Sequence, residues 1–337
     1  MESGSQPGEI VAGLVEVDAL EALVLVDNVT DALSSVPAGV ANETAALLAA
    51  GLTEMSGEAK CCAHHGLSLL LAVRSGEATR CMMFDAGPEA YTLGRNAALL
   101  GVPFDRVEAI ALSHGHWDHG GGLVEAVRRV AQAGGGRRVP FHANEGMFTA
   151  RGNTQPGGKV LPYRDIPSKQ ALEAAGAQVV CSPEARLLVD GHFYLSGEIP
   201  RVTPYEKGYP GHMRRSAGGT GWEDDPWLLD ERYLAVKVRG KGVVVFSMCS
   251  HAGVVNVLKD ASRVFEGTPL HAVMGGFHLS GPTVEPAIAE TVLDLMRFGL
   301  KRIVPAHCTG FRAFTALAQA CEPGVLFPSA VGRRFTF

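Results

Sequence analysis

An α/β fold is what this sequence predicts, on three observations. Apolar runs of strand length alternate with longer, apolar-periodic stretches of helical character. The densest polar motif, His114-Gly115-His116-Trp117-Asp118-His119-Gly120, lies between residues 107–112, which read as a buried strand, and a helical pattern over 123–130. Three further histidines follow the same scheme of apolar strand, small-residue turn and histidine. Polar groups on loops at the carboxyl ends of strands are where open α/β sheets build their sites.

The elements follow in order. Residues 23–27 read as a first strand, and 42–52 as a helix or loop. Residues 67–73 and 80–84 are adjacent strands joined at Ser75-Gly76, the second ending in Asp85-Ala86-Gly87. A helix over 93–100 and the segment Phe104-Asp105-Arg106-Val107 lead into the motif strand. Residues 138–142 and 178–181 read as strands around a helix over 168–175, for which Ser168 is a suitable cap. A strand over 193–196 precedes a strand–turn–strand, 233–239 and 242–247, around Lys241. Residues 271–274 are a strand, 286–298 a helix, 301–305 a last core strand and 310–320 a closing helix. Residues 204–226 combine glycine, charge and aromatics without periodicity, and read as a loop covering the site. No linker of disordered composition divides the chain, so residues 1–337 read as a single domain with 204–226 as a lid or insertion loop.

Composition narrows the function. The formal charge of −5 is spread along the chain, with no basic block or aromatic-interleaved basic patch, so no nucleic-acid partner is expected. Residues 1–8 carry Glu2 and no lysine or arginine, unlike a secretory signal. No apolar stretch is long enough to span a bilayer. The expectation is a cytoplasmic protein without a membrane partner. The seven cysteines are odd in number and form no C-x-x-C, which argues against a disulfide framework. Most read as small buried apolar residues; Cys249 and Cys308 stand apart, each beside a candidate ligand histidine. Neither a G-x-S-x-G elbow nor a Walker-type loop is present, so neither a serine nucleophile nor ATP is indicated.

Imidazole nitrogen and carboxylate oxygen suit zinc, iron or manganese. His114 and His116 are two apart and point the same way in extended backbone. Asp118 and His119 diverge as the chain turns into the helix, so one loop can feed two metals. Val243-Val244-Val245-Phe246-Ser247 runs to His251, Ala272-Val273-Met274 to His278, and Ile303-Val304-Pro305-Ala306 to His307. If these strands share a sheet, their ends converge on one edge.

His114-x-His116-x-Asp118-His119 with His251 and His307 resembles the metallo-β-lactamase superfamily, over residues 23 to the C-terminus. Leu195-Ser196-Gly197-Glu198-Ile199-Pro200, Cys249-Ser250-His251-Ala252-Gly253, Gly275-Gly276-Phe277-His278-Leu279 and Ala306-His307-Cys308-Thr309-Gly310 narrow the likeness. They resemble the metal-dependent hydrolases related to the archaeal 7,8-dihydropterin-6-yl-methyl-4-(β-D-ribofuranosyl)aminobenzene-5′-phosphate synthase. The resemblance implies an αββα sandwich of two mixed β-sheets with helices on the outer faces. It implies that His114, His116 and His251 bind one metal, and Asp118, His119 and His307 the other. Asp85 then matches an acid that orients ligand histidines. One departure stands at the fourth motif, where the superfamily usually offers a bridging aspartate. Here the strand ends Gly275-Gly276-Phe277-His278, and His278 is the substitute ligand.

The resulting expectation is a metal-dependent hydrolase with two divalent ions, zinc foremost and iron or manganese as alternatives. Metal-bound hydroxide attacks a small anionic ester, a phosphoester foremost, with Asp118 and His278 at the reacting centre. The alternatives are a transferase joining a pterin to a ribosylaminobenzene phosphate, an iron-binding oxidoreductase, and a non-catalytic ligand sensor. Lys207, His212, Arg214 and Arg215 are candidates to grip the anion, and His65 lies at the expected rim. Trp117 either walls the pocket or packs beneath the loop. His142, His192 and His271 lack such a context and read as structural.

Overall fold

The structure is a computed structural model and describes residues 7–337. Two large mixed sheets carry the fold. The first has eight strands, in the order Ala177–Cys181, Val139–Ala143, Val107–Ala111, Ala78–Phe84, Ser68–Ser75, Ala19–Val26, Arg334–Thr336 and Val40–Ala41. Its pairings from Ala177–Cys181 to Ala78–Phe84 are parallel and the remainder antiparallel. The second runs Arg186–Leu188, Phe193–Leu195, Leu234–Val238, Gly242–Ser247, Leu270–Gly276 and Arg302–Ala306, with Glu16–Val17 parallel to Leu234–Val238. Its last three strands are parallel.

Alternation along the strands builds three apolar layers. Leu20, Ala22 and Val24, with Leu69 and Leu71, face Val244, Phe246 and Met274 of the other sheet. The opposite faces turn outward. Leu23, Leu70, Met83 and Ile110 pack beneath helices Ala90–Leu99 and Leu123–Ala133. Val243, Val245, Val273 and Ile303 pack beneath Val254–Val264, Ile288–Arg297 and Phe311–Ala320. Strands buried on both faces read as unbroken apolar runs, as Gly242–Ser247 does. The architecture is therefore the αββα sandwich.

Most expected elements are present within a few residues, and the 42–52 segment, for which the sequence allows helix or loop, is a helix, Glu43–Ala49, capped by Asn42. One expectation changes. The 204–226 segment is not wholly irregular: His212–Arg215 and Trp222–Asp224 join Arg151–Thr154 and Val160–Pro162 in a small antiparallel sheet. Three- and four-residue polar strands leave no periodic signal in the sequence.

Candidate metal centre

Five strand ends converge at one edge of the sandwich. Asp85 follows Ala78–Phe84, the His114 motif follows Val107–Ala111, and His251, His278 and His307 follow the three parallel strands of the second sheet. Asp85, Ser250, His278 and His307 all adopt left-handed backbone, with φ of 61°, 54°, 45° and 46°. Non-glycine residues avoid this region, and its concentration at one sheet edge marks a functional constraint.

The imidazoles are oriented from outside. Asp85 accepts hydrogen bonds from the Ser113 amide (2.7 Å), the Ser113 hydroxyl (2.7 Å) and His119 Nδ1 (2.6 Å). Because Ser113 Oγ donates to Asp85, it accepts from His114 Nδ1 at 2.9 Å. Asn28 Oδ1, already accepting from the Gly66 amide, accepts from His307 Nδ1 at 3.0 Å. His212 Nδ1 donates to the Asp225 carbonyl at 2.8 Å. Each of these rings therefore turns Nε2 inward.

Inside, nitrogens face nitrogens. His119 Nε2 lies 3.3 Å from His307 Nε2, His251 Nε2 3.2 Å from His114 Nε2, and His116 Nε2 2.9 Å from His212 Nε2. Burial, reinforced by the neighbouring imidazoles, holds His114, His116 and His251 well below the usual histidine range, so they are neutral donors. The geometry calls for positive charge between the rings. Without a metal, a proton on His307 supplies it: burial opposes the proton, but the Cys308 sulfur and the Asp118 carboxylate, 3.2 Å away, raise His307 to about 9. Asp118 is held below the usual carboxylate range although burial works against it, chiefly by His119 and His307.

Donor atoms within 4.8 Å of one another form several groups that could hold a cation. They include His114 with His116 and His251, His65 with Asp118 and His307, and Cys249 with His251 and His278. His114, His116, Asp118, His119, His251, His278 and His307 thus occupy one neighbourhood. His65 is half out in solvent, 3.6 Å from Asp118 and tilted against the His307 ring. Half-buried Trp117 packs 5.9 Å from His65 at this rim.

The four expected anion-gripping residues separate. Lys207 is exposed on the wall of a cavity that reaches His251 and His278. His212 is buried in the histidine cluster instead of standing free on a lid. Arg214 pairs with Glu223 at 2.7 Å and Arg215 lies over the Trp222 ring at 4.3 Å; both are exposed, and the structure brings neither to the histidines. Their strand runs away from the cluster after His212, and its hairpin partner satisfies both cations.

Several contributors carried no sequence signal. Glu231 accepts from the His251 and Ala252 amides at 2.8 and 2.7 Å and so fixes the His251 turn. Asp27 accepts from the His307 amide at 2.9 Å. Tyr163 meets the His116 ring edge-on at 5.5 Å, and Tyr209 lies against His251 and His278. Glu231, Asp27 and Tyr163 come from loops that only tertiary packing brings here, whereas Tyr209 belongs to the 204–226 segment expected to cover the site. His192 bonds the Val189 carbonyl, away from the cluster.

Comparison with known proteins agrees with this geometry. A family model described as the metallo-β-lactamase superfamily matches residues 66–169. The 7,8-dihydropterin-6-methyl-4-(β-D-ribofuranosyl)-aminobenzene-5′-phosphate synthase of Methanocaldococcus jannaschii is 31% identical over 251 residues, 74% of this chain and 82% of the relative. An uncharacterized protein of the same organism is 28% identical over 76% of this chain and 88% of its own length. Among solved structures, a metal-dependent hydrolase of the β-lactamase superfamily superposes with a TM-score of 0.66 at 21% identity, covering 94% of this chain and 98% of its own. The fold implies binding of divalent metal, and the donor set fits one: inward-facing neutral imidazoles, a carboxylate and thiols. With the sandwich, the site at its edge and these relatives, the chain belongs to the metallo-β-lactamase superfamily.

Proposed function

We propose that this protein is a metal-dependent hydrolase of a small anionic ester, a phosphoester foremost. The observation that carries the reading is the convergence of Nε2 atoms from His119 and His307, each with its Nδ1 committed to an oxygen. Two ring nitrogens so aimed need a positive charge between them, a proton on His307 or a metal ion in its place. His114, His116 and His251 would hold one ion, and Asp118, His119 and His307 a second, with His278 adjoining and zinc favoured by the donors. Bound metal would supply Lewis acidity and an activated water.

The chain supplies the remainder. Asp85, Ser113 and Asn28 fix the tautomers of His119, His114 and His307. A cavity of about 440 Å³ opens beside His251 and His278, a size suited to a small molecule. Pro204, Lys207 and Pro210 line it, which supports a covering role for the 204–226 segment within a single domain. Lys207 would meet the anionic end of the substrate, and His65 the opposite rim near Asp118.

Elemental analysis of the loaded protein, followed by a screen of phosphoesters, lactones and thioesters, tests the reading. His116→Ala and Asp118→Ala should each lose metal and turnover together. Full metal content in both variants, or a loaded wild type inert toward every ester class, would remove it. A second reading rests on the relative named a synthase. A dihydropterin bearing a leaving group on its 6-methylene carbon would then be joined there to the aminobenzene riboside phosphate, with release of that group and a proton, by a protein that leaves simple esters intact.

A further inference from the structure

Two thiols lie inside the histidine cluster. Cys249 is buried, and its Sγ stands 3.1 Å from Cys308 Sγ. It is also the donor common to most of the cluster's groups: with His114 and His119, with His251 and His278, and with His307 and Cys308, all donor atoms lie within 4.8 Å of one another. It thus lies within reach of both halves of the site, as His114 does, which groups with His116 and His251 and also with His119. Cys308 adjoins His278, whose backbone N–H donates to its sulfur at 3.3 Å.

The backbone makes room for these sulfurs. A Cβ on Gly276, at the end of Leu270–Gly276, would lie 2.5 Å from Cys308 Sγ and 2.7 Å from the Met248 carbonyl oxygen. The bare strand end is therefore a cradle for the thiol pair. Charge gives the cradle a purpose. Among the described residues, Asp118 is the one carboxylate in the donor groups, because Asp85 is occupied by Ser113 and His119. Divalent charge buried among neutral imidazoles needs further anionic partners, and the thiols are the ionisable groups within reach.

We propose that Cys249 supplies a thiolate ligand shared by the two halves of the histidine cluster, with Cys308 beside it as a second sulfur donor. The proposal rests on the metal reading above and specifies its chemistry. Any thiol proton displaced on binding goes to solvent, without change of oxidation state. Sulfur ligation selects zinc, cobalt or iron over manganese and magnesium.

The test is the absorption spectrum of the cobalt(II)-substituted full-length protein. A near-ultraviolet sulfur-to-cobalt charge-transfer band is expected in the wild type, reduced by more than half in Cys249→Ser, reduced less in Cys308→Ser, lost when both are replaced and untouched in Cys321→Ser. Visible cobalt ligand-field bands retained in each variant show that it is folded and loaded. Cobalt bound without the charge-transfer band in the wild type would overturn thiolate ligation while leaving the metal reading intact. Failure to bind cobalt, zinc or iron at all would remove both. Should Cys249→Ser not fold, alkylation of the wild type decides: cobalt should block labelling of Cys249 and Cys308, and chelation should restore it. Equal labelling in both states, or an intact mass showing the two cysteines already joined as a disulfide in the metal-loaded protein, would overturn the proposal.

Discussion

Asp85 shows how much one side chain can organise. Its left-handed backbone turns the carboxylate back under the motif loop, where it holds the Ser113 amide, the Ser113 hydroxyl and His119 Nδ1 together. The hydroxyl in turn fixes His114. Asp85→Asn keeps the shape but replaces one acceptor oxygen with a donor. Metal affinity should fall about 10- to 100-fold, the usual cost of losing a residue that orients a ligand. Competition against a chromophoric chelator measures this, and unchanged affinity would mean that the rings orient themselves. A different histidine reports on stability. Burial, with Arg186 adding to it, holds His142 down at about 4 from an ordinary 6.5. Above 6.5 neither state carries the proton; as pH falls from 6.5 to 4 the unfolded chain binds it and the folded chain does not, so stability is lost with acidification. At about 1.4 kcal/mol per pKa unit, the loss is on the order of 3 kcal/mol. His142→Gln should lack this component, so the stability difference between wild type and variant should shrink by that amount across the interval. Urea midpoints taken along it would show a constant difference if the imidazole titrates normally.

At the scale of elements, the site depends on how closely the motif loop approaches its neighbours. A Cβ on Gly121 would run into the Pro88 carbonyl oxygen, and one on Gly122 into that of Ala86. The obstacles are backbone, so neither can swing aside. Gly121→Ala should cost about 1–3 kcal/mol or more through displaced backbone, with a lower urea midpoint and weaker metal binding, because Asp118 and His119 occupy the preceding turn. A variant of wild-type stability would mean that the loop has slack. The same contrast between backbone and side-chain information decides what was legible in the sequence. Strands such as Gly242–Ser247 announce themselves because both faces are buried, and the histidines at their ends are then placed by topology. Arg334–Thr336 is too short to show a period, yet it pairs with Ala19–Val26. Nearness in sequence groups His212 with Lys207, Arg214 and Arg215. What buries it is its pairing opposite Asn153 of Arg151–Thr154, a strand distant in sequence, in a register no local pattern specifies.

In the whole molecule, the donors are divided between the sheets. His114, His116, Asp118 and His119 follow a strand of the first sheet, while His251, His278 and His307 follow strands of the second. The apolar layer between the sheets, including Phe246 edge-on to Phe337 at 6.1 Å, joins them through the interior. Metal at the edge would join them a second time. A ligand that binds only the folded state stabilises it by mass action, about 4 kcal/mol at a thousandfold excess over its dissociation constant. Zinc addition should therefore raise the thermal midpoint, and a chelator should lower it. His251→Ala, which removes a donor of the second sheet, should reduce the zinc-induced rise even though the His114 motif is untouched. If the rise survives fully in His251→Ala but disappears in His116→Ala, the ion is held by the motif loop alone and does not link the sheets. If it is reduced in both, the centre fastens the two halves of the sandwich at the edge where the strands end.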